Sequence, residues 1–283
     1  MVSLSEYEKS KEFLVCVDSD GCAMDTMDVK HFNCFGPCMI AEWSLEEWKD
    51  EILKRWNEIN LYSLTRGINR FKGLSLALSE INERCVKIEG INELVHWTET
   101  TLELSGASLK REIEKYPTSP ALKKALNWNE AVNEAIVALP EESKMPFKMA
   151  KEGLMAAHKV ADVAIISSAN LDAVLEEWEK HSLLLHTDIV LAQNSGSKAF
   201  CIGEMLKKGY PKENVVMCGD AVGDMEAAQK NGVHFFPILV KKEKESWEEF
   251  ISSGLKKLLN GSFEGEYSEK KKKEFLNNLG AEK

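Results

Sequence analysis

Two aspartates with one residue between them, Asp18 and Asp20, bring the apolar run of "FLVCVDSDGC" to an abrupt end. Other apolar runs finish in residues of similar promise. "VAIISS" ends in Ser167 and Ser168, and "VVMCGD" ends in Asp220, with Asp224 one helical turn later. Lys198 starts the helical pattern after "DIVLAQ". Carboxylates gathered closely repel, so they require protons or a hard cation such as magnesium, which takes few protein carboxylates and keeps positions for water and phosphate oxygens. A carboxylate beside such an ion can attack phosphorus and split one hard step into two. A second acid two residues away can protonate the leaving oxygen and later activate water. A hydroxyl and a lysine can hold the transferring phosphoryl group. Singly, each residue has a plainer role: an Asp-Gly turn, a helix N-cap at the serines, or an acid favoured by a helix dipole. Lys198 differs, because that dipole disfavours a cation and a neighbouring anion must offset the cost.

These residues can meet only if the runs that carry them are neighbouring strands. "FLVCVD", "VAIISS", "DIVLAQ", "VVMCGD" and "HFFPILV" read as strands whose near-continuous apolarity implies that both faces are covered. Between the later ones lie helical patterns, "AVLEEWEKH" and "KAFCIGEMLKKG", the latter closed by Gly209. Alternation of this kind predicts βαβ units and a parallel sheet, with the ligand site outside the carboxyl ends of the strands.

The stretch between the first two strands is far longer than a crossover requires and reads as helix throughout. A capping box at Ser44 and Glu47 predicts a helix start, and Leu45, Trp48, Ile52, Trp56 and Ile59 then share one face as core. Further helices fit "GLSLALSEIN", "LVHWTETTLELS" and "NEAVNEAIVALP". The insertion is therefore expected to form a helical domain. The charged tail "SEKKKKEFLNNLG" predicts a solvated terminal helix.

Composition narrows the function. The 283 residues, 44% hydrophobic and 29% charged, suit one large or two ordinary globular domains. A formal net charge of −10 disfavours broad binding to nucleic acid or anionic membranes. No apolar run has the length of a membrane span, and the first residues lack a signal-peptide core. Seven cysteines, odd in number and scattered, suggest reduced thiols and a cytoplasmic setting. His31, Cys34 and Cys38 form a loose group without a fourth metal ligand nearby, and packing accounts for it better than zinc.

Taken in order, "VCVDSDGC", "AIISSAN", "SGSKAF" and "VVMCGDAVGD" resemble the four motifs of the haloacid dehalogenase-like superfamily of phosphohydrolases. Each motif is weak alone, but the ordered set is specific and spans the whole sheet domain. The resemblance implies an α/β fold: a Rossmann-like three-layer parallel-sheet core over residues 1–21 and 146–283, with an α-helical cap over 22–145. Such a cap is found in phosphoglycolate phosphatases and β-phosphoglucomutases.

The resemblance also implies roles. Asp18 is expected as nucleophile and magnesium ligand, and Asp20 as general acid/base with its backbone carbonyl on the metal. Ser167 would bind the phosphoryl group, with Ser168 beside it on the substrate, and Lys198 would stabilise the transferring charge. Asp220 would ligate magnesium and Asp224 would orient it. One departure is Cys22, where threonine is usual, and it removes no catalytic group. In the cap, "TRGINRFKG" brings Arg66, Arg70 and Lys72 together in an acidic chain. If helical, the two arginines stack at i,i+4, either as a solvated basic face or as substrate-binding groups.

The expected activity is magnesium-dependent hydrolysis of a small phosphorylated metabolite through an aspartyl-phosphate. A phosphoglucomutase-like phosphotransferase would use the same residues. A catalytically silent binding protein is disfavoured, since every motif position holds a competent residue. A dehalogenase would lack the acid that Asp20 supplies, and phosphonate cleavage needs a cap lysine for which no residue stands out.

Overall fold

Strands Leu14–Val17 (β1), Asp162–Ile166 (β2), Ile189–Leu191 (β3), Val215–Gly219 (β4) and His234–Pro237 (β5) form one parallel sheet in the order β3-β2-β1-β4-β5 in the computed structural model, which describes residues 3–281. Every residue of β1, β2 and β4 is buried, as strands covered on both faces require. Val15, Val17, Val163, Ile165, Val216 and Cys218 share one core with Leu154, Trp178, Trp247 and Phe250. Alternation sends Leu14, Cys16, Ala164 and Met217 to the opposite face. There the helices Lys198–Leu206 and Val222–Asn231 pack on each other and bury Cys201, Ile202 and Ala228. Helix, sheet and helix make the three layers.

Two compact units divide the chain, one of residues through Met27 with those from Glu141 onward, the other Asp28–Pro140. The second is all helix, with its main segments at Gly36–Trp43, Lys49–Leu61, Arg70–Arg84, Ile91–Thr100, Gly106–Lys115 and Pro120–Val137. Its core is aromatic: Trp128 lies 6.2 Å from Trp56 and 6.1 Å from Phe71 between ring centroids, and Phe71 meets Trp97 edge-on at 5.1 Å. His31 accepts a hydrogen bond from Trp56 Nε1 at 3.1 Å and stacks on Phe35, and Cys34 is buried beside it. That group packs.

Local details depart from the sequence reading. Ser44 caps no helix start; it closes the helix Gly36–Trp43 in the left-handed region at φ 54°, with Leu45 N donating to Ile40 O at 2.9 Å. The stripe it was expected to begin is nonetheless core at Leu45, Ile52, Trp56 and Ile59. The helix at Ile91 stops at Thr100, short of "LELS", where the hydroxyls of Thr98 and Thr100 bond back to Val95 O and His96 O. The C-terminal helix Glu266–Asn278 is docked rather than solvated: Phe275 is buried against Phe235 at 5.1 Å, and Lys271 is buried with Glu249 at 2.7 Å. Among the described residues, no helix is long and apolar enough to cross a membrane.

Asp162, at the amino end of β2, ties the N-terminal segment to the sheet. It accepts hydrogen bonds from Ser10 N and Lys11 N at 2.9 Å and from Tyr210 OH at 2.5 Å, and the Tyr210 hydroxyl pairs with that of Tyr7 at 2.8 Å. Burial works against its charge, but the hydrogen bonds from Ser10, Tyr210 and Lys11 outweigh it and hold the carboxyl below its ordinary value. A depressed carboxylate stabilises the fold above its unfolded-state pKa, and that contribution is lost as pH falls through the folded value. Asp162→Asn should therefore cost about 1–3 kcal/mol at pH 7, and urea unfolding should show the deficit shrinking toward pH 3. A deficit that is equal at both pH values would mean that the charge contributes nothing.

Candidate active site

The sheet brings the acidic residues together through register. Val17 pairs with Cys218 across β1 and β4, so Asp18 and Asp220 each leave the carboxyl end of adjacent strands. Asp18 N also donates to Cys218 O at 3.0 Å, extending the ladder one residue beyond β1. These strands flank the point where the strand order reverses, the usual position of a site in an open α/β sheet.

Asp224 arrives from the first turn of the helix Val222–Asn231, where its Oδ2 accepts from Ala221 N at 3.1 Å. Its carboxylate lies over Gly219. A Cβ built on Gly219 would sit 2.4 Å from Asp224 Cγ, so only glycine admits that approach. Lys198, the first residue of its helix, reaches between two of the acids, at 2.7 Å from Asp18 Oδ2 and 2.6 Å from Asp224 Oδ1. Those anions offset the dipole cost of a lysine at a helix start.

Charge in this cluster is strained by burial. The Asp18 carboxyl is pushed well above its usual range, first by burial, with Lys198 opposing and Asp224 and Asp220 adding to the rise. Burial also works against the Lys198 ammonium, but Asp18 and Asp224 outweigh it and hold its proton firmly. Donor oxygens of Asp18, Asp220 and Asp224 lie within 4.8 Å of one another, and among the described residues no other three His, Cys, Asp or Glu side chains come so close together. Three carboxylates against one ammonium leave two negative charges, which suits one hard divalent cation bound through oxygen. The donor set therefore fits magnesium.

Asp20 stands two residues on, partly buried, with Thr26 Oγ1 donating to its Oδ1 at 2.5 Å. Ser167 is buried at the end of β2, where its Oγ accepts from Ala169 N at 3.1 Å. Ser168 beside it is exposed, and the N-cap of the next helix is Asn170 rather than either serine. Cys22 is fully buried and its thiol donates to Cys218 O at 3.5 Å; burial, then Asp220 and Asp18, push that thiol well above its ordinary value.

Arg66 and Arg70 of the helical unit do not share a helix. Arg66 lies in a turn, buried, and donates to Leu61 O at 2.9 Å. Arg70 begins the helix Arg70–Arg84, donates to Asn129 and Asn133 at 3.1 and 2.7 Å, and covers the Phe35 ring. A solvated basic face is therefore not what the stretch forms at Arg66.

Sequence reasoning missed Thr26, two tryptophans and the close approach that Gly219 permits. Trp178 Nε1 donates to Ser19 Oγ at 2.8 Å, and Trp247 Nε1 donates to Cys22 O at 3.1 Å. Nothing local marks the tryptophans, because their acceptors lie far away in the chain. The Gly-Asp pair before Asp224 was the available signal for Gly219.

A sequence model of haloacid dehalogenase-like hydrolases matches residues 77–238, more than half of the chain. The chain belongs to that family. The match takes in Ser167, Lys198, Asp220 and Asp224, whereas Asp18 and Asp20 precede it. No curated protein sequence matched.

Solved structures of this family share the fold at low identity. A protein from Lactobacillus delbrueckii subsp. bulgaricus, provisionally described as a phosphoglycolate phosphatase, is similar with a TM-score of 0.53 at 15% identity, over 81% of this chain and 86% of that one. A haloacid dehalogenase-like family hydrolase from Xanthomonas campestris gives 0.51 at 14%, over 90% and 97%. A Thermotoga maritima protein, provisionally described as a β-phosphoglucomutase, gives 0.50 at 15%, over 86% and 99%.

If the four charged groups form one ion-responsive cluster, magnesium should raise the thermal unfolding temperature of the wild type, as a ligand of the native state does. Gly219→Ala should lose most of that response, because the new methyl displaces Asp224. An unchanged response, measured by differential scanning fluorimetry, would remove Asp224 from the cluster.

Proposed function

We propose that the protein is a magnesium-dependent phosphatase that hydrolyses a small phosphorylated metabolite through an aspartyl-phosphate on Asp18. The observation that supports this reading is the convergence of Asp18, Asp220, Asp224 and Lys198 in one buried cluster, with Asp20 held by Thr26 two residues from Asp18. In the first half-reaction an Asp18 oxygen bonds to phosphorus as the bond from phosphorus to the leaving oxygen breaks, and Asp20 gives that oxygen its proton. In the second, water attacks the same phosphorus, Asp20 takes the water's proton, and Asp18 departs with release of inorganic phosphate. Ser167, whose Oγ accepts from Ala169 N, can direct its own O–H at a phosphoryl oxygen. Lys198 balances the charge of the transferring group. Asp18, Asp220 and Asp224, with the Asp20 carbonyl, would hold the magnesium ion, which neutralises the phosphoryl oxygens when bound.

The helical unit Asp28–Pro140 would act as the cap that reads the leaving group, with Arg66 and Arg70 its candidate recognition residues and exposed Ser168 the candidate on the core side. The seven unpaired thiols are consistent with a reducing, cytoplasmic setting. A phosphotransferase would run the first half-reaction unchanged and pass the phosphoryl group to a sugar hydroxyl. Similarity to the Thermotoga maritima structure favours it as the second reading. Product analysis separates the two, since only hydrolysis accumulates inorganic phosphate.

Asp18→Asn should abolish turnover of p-nitrophenyl phosphate without loss of fold, because an amide cannot attack phosphorus. Asp20→Asn should lose about 10²–10⁴-fold, and less on p-nitrophenyl phosphate, whose leaving group departs unprotonated, than on phenyl phosphate. Near-normal rates in folded Asp18→Asn, or equal losses for Asp20→Asn, would sink the respective assignments.

Exhaustive chelation should likewise abolish activity, magnesium should restore it, and calcium should do so poorly, since its larger and looser coordination shell can hold Asp18 through both oxygens. Full activity in chelator would overturn the metal requirement.

A further inference from the structure

We propose that Trp178 and Trp247 are positioning residues that aim the turn carrying Asp18 and Asp20; this rests on the phosphatase reading. They are the two tryptophans of the core unit, both fully buried, and both donate their indole N–H to the same short loop. Trp178, from the helix Leu171–Lys180, donates to Ser19 Oγ at 2.8 Å, and Trp247, from the helix Glu243–Glu249, donates to Cys22 O at 3.1 Å. Burial alone does not explain such pairing in this protein. In the helical unit the buried indole N–H groups of Trp56 and Trp128 donate to His31 Nδ1 and Phe35 O, whereas those of Trp43 and Trp97 have no acceptor among the described residues.

The geometry between the two donors gives them leverage. Ser19, fully buried between the two acids, donates its N–H to Asp18 Oδ1 at 2.8 Å. Its carbonyl accepts from Ala23 N at 3.0 Å and Met24 N at 2.9 Å, so residues 19–24 form one hydrogen-bonded turn. Fixing Ser19 Oγ at one end and Cys22 O at the other removes the turn's freedom to rock about Ser19, and that motion would swing Asp20 relative to Asp18. Gly153 supports the second clamp. A Cβ there would meet the Trp247 ring at 2.3 Å, so the helix Ala150–His158 leaves a bare spot where the ring lies. General acid catalysis tolerates little misplacement, and an error near 1 Å can cost about 10²-fold.

The test uses Trp178→Phe and Trp247→Phe, which keep a ring and delete the donor, with kcat and KM measured on p-nitrophenyl phosphate and phenyl phosphate in saturating magnesium. Each should lower kcat/KM on phenyl phosphate about 10-fold or more and lower it less on p-nitrophenyl phosphate, because kcat/KM reports the steps up to departure of the leaving group, in which the misaimed group is the acid. Ser19→Ala removes the same hydrogen bond with a small change, so it serves also if Trp178→Phe fails to fold. It should reproduce the Trp178→Phe pattern, and the double variant should be no worse than either single one. Equal losses on both substrates, full additivity, or rates that follow unfolding stability alone would overturn the positioning role. Failure of the phosphatase reading shows differently: the wild type would turn over neither substrate, or Asp18→Asn would retain activity.

Discussion

Three carboxylates buried within ligand reach of one another, with one ammonium between them, set the condition that the rest of the core unit must satisfy. Left unpaired, each buried charge costs several kcal/mol, so the arrangement persists only where the surrounding fold over-determines it. Two hydrogen-bonded contacts from Lys198 carry part of that burden. The rest falls on backbone: a glycine that lets a carboxylate lie against the strand end, and an amide at Ala221 that holds the other face of Asp224. A buried group of this kind costs stability rather than adding to it.

Rigidity is the second consequence. Asp18 and Asp220 follow the last paired residues of adjacent parallel strands, so their separation is set by the ladder rather than by a loop. A slip of one residue would send every side chain to the opposite face, where the close packing of each layer is fitted to different side chains. Those two acids are thus positioned by the most strongly specified part of the molecule, and the loop after Asp18 is left only a small local turn to organise.

How much of this could be read in advance depends on range. The strands, their parallel sense and the edge at which Asp18, Ser167 and Asp220 emerge follow from apolar runs and their ends, which are local signals. So does the core face of Ile52, Trp56 and Ile59. What escaped either had an ambiguous local signal or depends on partners distant in the chain. Ser44 looked like a cap because nothing in "FNCFGPCMIAEW" announced the helix that it terminates. Lys271 and Phe275 looked solvated because their neighbours, Glu249 and Phe235, come from other elements. Trp178 and Trp247 went unmarked for the same reason, since helical spacing reports burial and is silent about where an indole N–H points. Arg66 and Arg70 seemed to share a helix face because the one local signal, Asn69 as the N-cap dividing turn from helix, lies between them unremarked.

The route by which the chain leaves and re-enters the core unit has a further consequence. Asp25 N donates to Met145 O at 2.8 Å and Phe147 N to Ala23 O at 2.9 Å, and Met24 bridges Pro146 in antiparallel fashion, so the outgoing and returning segments are joined side by side within the core unit. Loop-closure entropy depends only weakly on the length of what lies beyond such a junction. The junction is therefore a natural graft point. A different insertion, longer, shorter or of another fold, could be spliced there while β1 and β4 keep their register, so that the helical unit can be exchanged in a lineage or at the bench while the acids stay in place.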